Sequence, residues 1–221
     1  MAHVAELPGC FAEGSSAPLA VASVPRAIVG FLAWLKAHRE PLVPEAIVSR
    51  PTMSDLTVAE VRRAGAALNA GRGSATFDFD MVAWDDYKLE RTLRWLGYSR
   101  ADLLAKIEGM DETALKARHI APGRTAWRTL EDVADVETEY ADYITGAGGG
   151  VEIVTEPSLS DIRERLAAAR ELLLHRARAV PLERRAEIIY PIGTCKPNEP
   201  WTLAKALRRA LEHELEHLRE L

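Results

Sequence analysis

Two histidines one helical turn apart, His213 and His217, are the residues of this sequence best suited to chemistry. They lie in the segment WTLAKALRRALEHELEHLREL, residues 201–221, where leucines recur at helical spacing: Leu203, Leu207, Leu211, Leu218 and Leu221. Positions four apart on a helix differ by only about 40° around its axis, so both imidazoles can reach one ion. The spacing therefore predicts two metal ligands beside the packing face of an amphipathic helix.

The carboxylate of Glu214 falls within the leucine stripe itself, where it is costly unless it is paired or bound to something. With its neighbours it completes the pattern HExxH, in which zinc proteases use two histidines as ligands and the glutamate as general base. That reading needs a third protein ligand well downstream, and only four residues follow His217. We therefore expect a different kind of metal site.

Four segments of about 20 residues have the spacing of helices and must position these groups: residues 85–109, 123–144, 158–179 and 201–221. They are enough for a closed antiparallel four-helix bundle. The pattern of residues 1–80 predicts a smaller α/β module instead. Its expected elements are a strand over residues 3–7, a helix over residues 17–38 with a kink or restart at Pro25, a strand over residues 46–49 and an alternating strand over residues 75–80. The fold class is α+β, with modules at 1–80 and 85–221.

Residues 85–221 resemble the DinB-like (YfiT-like) family. The resemblance is carried by Trp201-Thr202-Leu-x-Lys leading to Leu207, His213 and His217, and by the segment DVAD, residues 132–135, in the place of the family's His-x-Ala-Asp. It implies a four-helix bundle in which one residue of the second helix and an HxxxH pair of the last helix hold a divalent metal. By this resemblance His213, His217 and Asp132 are the ligands, with a carboxylate in place of the third histidine.

The third ligand has a competitor in the same predicted helix. Periodicity places Asp132 away from the apolar stripe, whereas Glu137 lies inside it. Two histidines and a carboxylate suit Zn²⁺, Ni²⁺, Mn²⁺ or Fe²⁺. Alternatively, Glu137 and Glu214 pair with His213 or with an arginine in a metal-free bundle.

The first 40 residues resemble the start of a HicB-like domain. The motif LPGCFAEG is followed by a helix that ends AIVGFLAWLKAHRE, although Ser16, Ala17 and Pro18 replace the usual threonine and paired acids. The resemblance implies a partial ribonuclease-H-like fold. It does not carry over the antitoxin role, because no DNA-binding tail is recognisable.

Composition limits the partners of this chain. A net charge of −5 disfavours nucleic acid as the main partner. The two cysteines, Cys10 and Cys195, with no leader pattern before them, indicate a reducing cytoplasm. The longest apolar run, residues 27–35, is too short for a membrane span and predicts a core helix.

The DinB-like resemblance implies a metal-dependent enzyme that transfers or adds a low-molecular-weight thiol to a small molecule. Glu214 or Glu137 would then orient a ligand or accept a proton. The resemblance is also compatible with a homodimer. The alternative class is a non-catalytic, metal-free binding or dimerisation module, and an antitoxin-like regulator is a weaker third hypothesis.

Overall fold

The computed structural model describes residues 1–41, 51–62, 74–146, 161–191 and 198–221. These residues form two compact units, Met1–Val61 and Arg62–Leu221. The strand predicted over residues 46–49 lies outside the described residues, as does Ser158, the predicted start of the third long helix.

The first unit begins with a short hairpin followed by a helix. Strand β1 (Ala2–His3) pairs antiparallel with β2 (Phe11–Ala12), so the strand predicted over residues 3–7 starts earlier and is shorter. The chain turns back at Leu7 to Cys10, where Gly9 has a φ of 88° that a larger side chain rarely adopts. Gly14 must also be glycine, because an added Cβ would lie 2.4 Å from the backbone nitrogen of Ala20.

Helix α1 (Ala17–Ala37) begins at Ser16, whose side chain accepts a hydrogen bond from the Leu19 amide. It continues through Pro25, so the predicted restart does not occur. One face is buried: Ala20, Val24, Ile28, Phe31 and Leu35. Among the described helices it alone is long and apolar enough to span a membrane by length and composition, a test that core helices also pass.

The second unit contains four long helices, as the periodicity predicts. They are α2 (Asp86–Lys106), α4 (Ala126–Thr145), α5 (Ile162–Ala179) and α6 (Leu203–Glu220). Side chains cap all four amino ends by accepting backbone amides: Asp85, Thr125, Asp161 and Thr202. Helix α4 packs against α5 and α6, and α2 packs against α6.

Two short elements between α2 and α4 were not expected from the sequence. Helix α3 (Glu112–Ala117) is followed by a hairpin of β3 (His119–Ala121) and β4 (Arg124–Thr125). Ile120 of β3 packs against a buried cluster that joins α3 to the long helices: Leu103, Ile107, Leu115, Ala126, Leu130, Val133, Ala134, Ile162, Leu166, Ala169 and Leu221. Strand β4 ends at Thr125, so the hairpin leads directly into α4, which begins at Ala126.

Residues 75–80 do not form the predicted strand. The chain makes a 3₁₀ turn at Asp78–Met81, in which the Phe77 amide donates to Asp80 Oδ2. Asp80 is buried and receives both arms of the Arg208 guanidinium, at 2.8 Å each. This segment therefore packs with α6, within the unit Arg62–Leu221.

Candidate metal centre

Helix α6 holds His213 and His217 side by side. Their Nε2 atoms are 3.0 Å apart, and the two rings lie edge to face with centroids 4.4 Å apart. The helix is fixed on its apolar side, where Leu203, Leu207, Leu211 and Leu215 are buried. His217 is almost fully buried, whereas His213 is partly exposed. The pair therefore lies at the edge of the packed face, as the sequence predicts.

Helix α4 brings Asp132 to the same point. Its Oδ2 atom is 3.1 Å from His217 Nε2 and 3.5 Å from His213 Nε2. The side chain retains 44% of its exposure, which agrees with its position away from the apolar stripe. Asp132, which lies off the core face of α4, thus reaches the histidines because they lie at the margin of the core face of α6.

The three atoms match the donor set of a divalent ion. Ligand atoms 2.0–2.2 Å from a tetrahedral zinc ion lie about 3.4 Å from one another. The separations here are 3.0, 3.1 and 3.5 Å, and one atom from each residue falls within a 4.8 Å span. Two imidazoles and one carboxylate suit zinc, nickel, manganese and iron. The geometry therefore fits an ion held by His213, His217 and Asp132.

Glu220 orients one of these ligands. Its Oε2 atom is 2.7 Å from Nδ1 of His217, three residues earlier on α6. A carboxylate that accepts the Nδ1 proton leaves the Nε2 lone pair free for an ion, the usual arrangement around metal-binding histidines. Sequence reasoning missed Glu220, although its spacing of three from His217 was a usable signal.

Arg124, at the start of β4, was also missed. Its Nη2 atom lies 2.7 Å from Asp132 Oδ2 and 3.3 Å from His217 Nε2. Its Nε donates to Thr129 Oγ1 at 2.9 Å, which anchors the guanidinium. No sequence pattern signalled this contact, because it depends on the hairpin that precedes α4.

The electrostatics of the cluster differ between its members. Hydrogen bonds from His213 and His217 hold the pKa of Asp132 well below its usual range. Burial lowers the pKa of His213. Burial alone would also lower the pKa of His217, but its bonds to Asp132 and Glu220 raise it overall. The group therefore combines a firmly ionised carboxylate with one imidazole that favours the neutral, metal-binding form.

The sequence profile of the DinB superfamily matches residues 96–221, more than half of the chain and all of the residues described in this site. The chain belongs to the DinB superfamily. Proteins of the DinB superfamily often bind metal, and this match covers His213, His217 and Asp132. No curated protein and no solved structure matches the chain. The match begins after the first 95 residues, so the HicB-like resemblance stays a prediction.

In this DinB protein, Glu137 and Glu214 lie in a buried ionic network with two arginines. Arg100 donates to Glu137 at 2.5 Å and to Glu214 at 2.6 Å, and Arg170 donates to both carboxylates as well. Ser99 donates a further hydrogen bond to Glu214. The remaining arms of Arg100 and Arg170 donate to backbone carbonyls of α5 and α2. Of the partners considered for these two glutamates, His213 or an arginine, the structure shows arginines.

This network makes Glu214 a poor proton acceptor. Burial would raise its pKa, but Arg170 and Arg100 outweigh burial and lower the pKa overall. All four carboxylate oxygens of Glu137 and Glu214 accept hydrogen bonds from the arginines. The ion pairs of the two glutamates thus link α4 and α6 to α2 and α5, and their predicted catalytic role stays a prediction.

Proposed function

We propose that this protein is a divalent-metal-dependent enzyme of the thiol-transfer type that acts on a small molecule. The observation that carries the proposal is the convergence of His213 Nε2, His217 Nε2 and Asp132 Oδ2 from two helices at the spacing of metal ligands. Three protein ligands leave a coordination position for substrate, as in catalytic metal sites.

Each residue has a defined part in this proposal. His213 and His217 bind through Nε2, and Asp132 supplies one negative charge at the same point. Glu220 keeps His217 in the binding tautomer. When bound, the ion would lower the pKa of a thiol so that it is present as thiolate near neutral pH. The overall reaction breaks the S–H bond of the thiol and forms one carbon–sulfur bond. In an addition a π bond of the acceptor opens and its other atom takes the proton; in a substitution the carbon–leaving-group bond breaks and the leaving group takes the proton.

Metal analysis tests the ligand set. We expect about one transition-metal ion per chain in untagged protein purified without chelator, measured by plasma mass spectrometry. His213→Ala, His217→Ala and Asp132→Ala should each lose the ion. His175→Ala is the matched control, because His175 is exposed on α5 and is not part of the cluster. Retention of the ion by Asp132→Ala alone would place the third ligand elsewhere.

A metal-free binding module is the second candidate, and Arg124 is the observation that favours it. Its guanidinium already compensates Asp132 at 2.7 Å, so the cluster is satisfied without an ion. Protein that carries no metal, and whose melting temperature does not rise with added zinc or nickel, would support this candidate and refute the enzyme.

The proposal extends to the surroundings in which the protein works. We propose a cytoplasmic location, because a reaction of a low-molecular-weight thiol requires a reducing compartment. A homodimer is also proposed, and sedimentation at several protein concentrations tests it. Neither proposal affects the ligand set, which lies within one chain.

A further inference from the structure

We propose that Arg124 recognises an anionic group of the substrate, of the carboxylate class, beside the His213–His217–Asp132 set. This inference rests on the proposed function and adds to it the charge of the molecule that binds. Arg124 is then a specificity-determining residue, because it would touch the substrate itself.

The guanidinium has one arm to spare. Nε is held by Thr129, and Nη2 is held by Asp132 and His217. None of the described residues accepts a hydrogen bond from Nη1, and the side chain retains 34% of its exposure. The remaining nitrogen, Nη1, can donate a charge-assisted hydrogen bond to an oxygen of a carboxylate. Arg124 therefore presents an accessible donor next to the three ligand atoms.

The position of Arg124 is set by the fold. Gly123, with a φ of 74°, makes the turn between β3 and β4. The Ala126 amide then donates to the Arg118 carbonyl at 2.8 Å, which ties the start of α4 to the residue just before β3. Together with the bond to Thr129 on α4, these contacts hold the guanidinium in place. Such a fixed cation loses little freedom when it binds an anion.

The balance of charge also favours an anionic ligand. The cluster has two imidazoles, one carboxylate and one guanidinium, so a divalent ion would leave it with a formal charge of about +2 when the imidazoles are neutral. Glu220, half exposed, compensates about one unit of that charge. A neutral thiol that loses its proton on binding removes one charge, and a thiol with an added carboxylate removes two. With Glu220 counted, about one positive charge remains, which a thiolate alone neutralises; the charge balance therefore favours an anionic ligand, and the choice of a carboxylate rests on the Nη1 donor of Arg124.

Two thiols of similar size test this proposal on cobalt-loaded protein. Thioglycolate carries a carboxylate where mercaptoethanol carries a hydroxymethyl group, and the binding of either thiolate is followed by its sulfur-to-cobalt charge-transfer absorbance. Each variant is measured at a cobalt concentration that saturates it. Arg124→Met removes the guanidinium, Arg124→Lys keeps the charge, and Arg128→Met is the control, since Arg128 is largely exposed and pairs with Glu131.

We expect wild-type protein and Arg128→Met to bind thioglycolate at least tenfold more tightly than mercaptoethanol. Arg124→Met should reduce that preference by about tenfold, which corresponds to about 1.4 kcal/mol, and Arg124→Lys should retain part of it. Because the ratio of two affinities is compared within each variant, a general weakening of the site cancels.

The outcomes separate the two proposals. A preference for thioglycolate that survives unchanged in Arg124→Met reflects chelation by the ion alone and overturns the role of Arg124, as does equal binding of the two thiols to wild-type protein. In both cases thiol binding stands. If neither thiol produces the charge-transfer absorbance, or if no cobalt binds, the proposed function fails and the inference fails with it.

Discussion

The hydrogen bond between His217 and Glu220 is the contact on which the binding tautomer depends. Glu220→Ala removes the acceptor of the Nδ1 proton, so we expect zinc affinity to fall by about tenfold, the lower end for such contacts because Glu220 is half exposed. Glu220→Gln keeps an acceptor without the charge and should lie between. Competition with a chromophoric chelator measures the affinity.

A matched substitution separates orientation from bulk charge. Glu164→Ala removes the same charge from an exposed position on α5, outside the cluster, and should leave zinc affinity unchanged. An equal loss in both variants would mean that net charge, and not the tautomer of His217, controls binding.

At the level of single residues, spacing along the sequence was enough to predict part of the site. His213 and His217 are four apart on a strongly periodic segment, so their proximity follows from helix geometry alone. Asp132 was named through resemblance to a family, because the periodicity of its helix places it off the core face. Arg124 could not be predicted, since its contact with Asp132 depends on the eight-residue stretch 118–125 between two helices, which contains the hairpin. Short hairpins of this kind leave almost no periodic signal.

The buried network of Arg100, Arg170, Glu137 and Glu214 joins the four long helices. Arg170→Met would leave Glu137 and Glu214 short of a partner inside the protein, and we expect a loss of about 3–5 kcal/mol in the free energy of unfolding. Urea denaturation followed by circular dichroism measures it.

The control for this substitution is another arginine of α5, eight residues further along the helix. Arg178 pairs with Glu90 through two bonds of 2.9 Å, but both side chains are about half exposed. Arg178→Met should therefore cost less than about 1 kcal/mol. Similar losses in the two variants would show that the buried network contributes no more than a surface ion pair.

The same network predicts a dependence of stability on pH. The pKa of Glu214 is lowered in the folded state from its ordinary 4.5, because Arg170 and Arg100 outweigh the effect of burial. A lowered carboxylate pKa stabilises the fold fully above pH 4.5, and this contribution is lost as the pH falls through the lowered pKa. We expect the stability difference between wild-type protein and Glu214→Gln to narrow as the pH is lowered below 4.5. A difference that stays constant with pH would contradict this.

At the level of secondary-structure elements, the sequence predicted the long helices, whose apolar residues recur regularly. All four helices of the second unit lie where their apolar spacing indicates, whereas the alternating residues 75–80 were wrongly assigned to a strand. Phe77 and Phe79 do share a side, as in a strand, but their rings stack at 5.1 Å with Arg208 beside both. Asp80 closes a turn on the Phe77 amide instead of extending the chain. Alternation in the sequence therefore shows only that alternate side chains face the same way. Here they do so because a turn packs beside a buried ion pair, not because the segment is a strand.

For the molecule as a whole, the division at residue 61 predicts that the candidate site is independent of the first unit. All three candidate ligands, Arg124 and the ionic network lie in Arg62–Leu221. A fragment that begins at Arg62 should bind the same number of metal ions per chain as the full-length protein, as measured by plasma mass spectrometry. The same fragment with His213→Ala is the negative control. Loss of metal in a folded fragment would show that the first unit contributes to the site.

The acidic character of the chain gives a second prediction at this scale. With a net charge of −5, the protein should not retard a DNA fragment in an electrophoretic shift at moderate salt. Retardation that weakens steeply with salt would instead favour the regulator suggested by the HicB-like segment. That segment lies outside the matched region of the DinB superfamily, so its role depends on experiments of this kind.

The contacts of α6 also determine the order in which this unit can be completed during synthesis. Helix α6 supplies His213 and His217, one carboxylate of the buried network and the arginine that binds Asp80, a residue 128 positions earlier. A ribosome makes residues 203–220 after all of these partners. The surface of α2, α4 and α5 that α6 covers therefore stays exposed to solvent until α6 has been made. Nascent chains that stall before α6 would therefore be candidates for chaperone binding, and metal could be acquired only when the last helix docks.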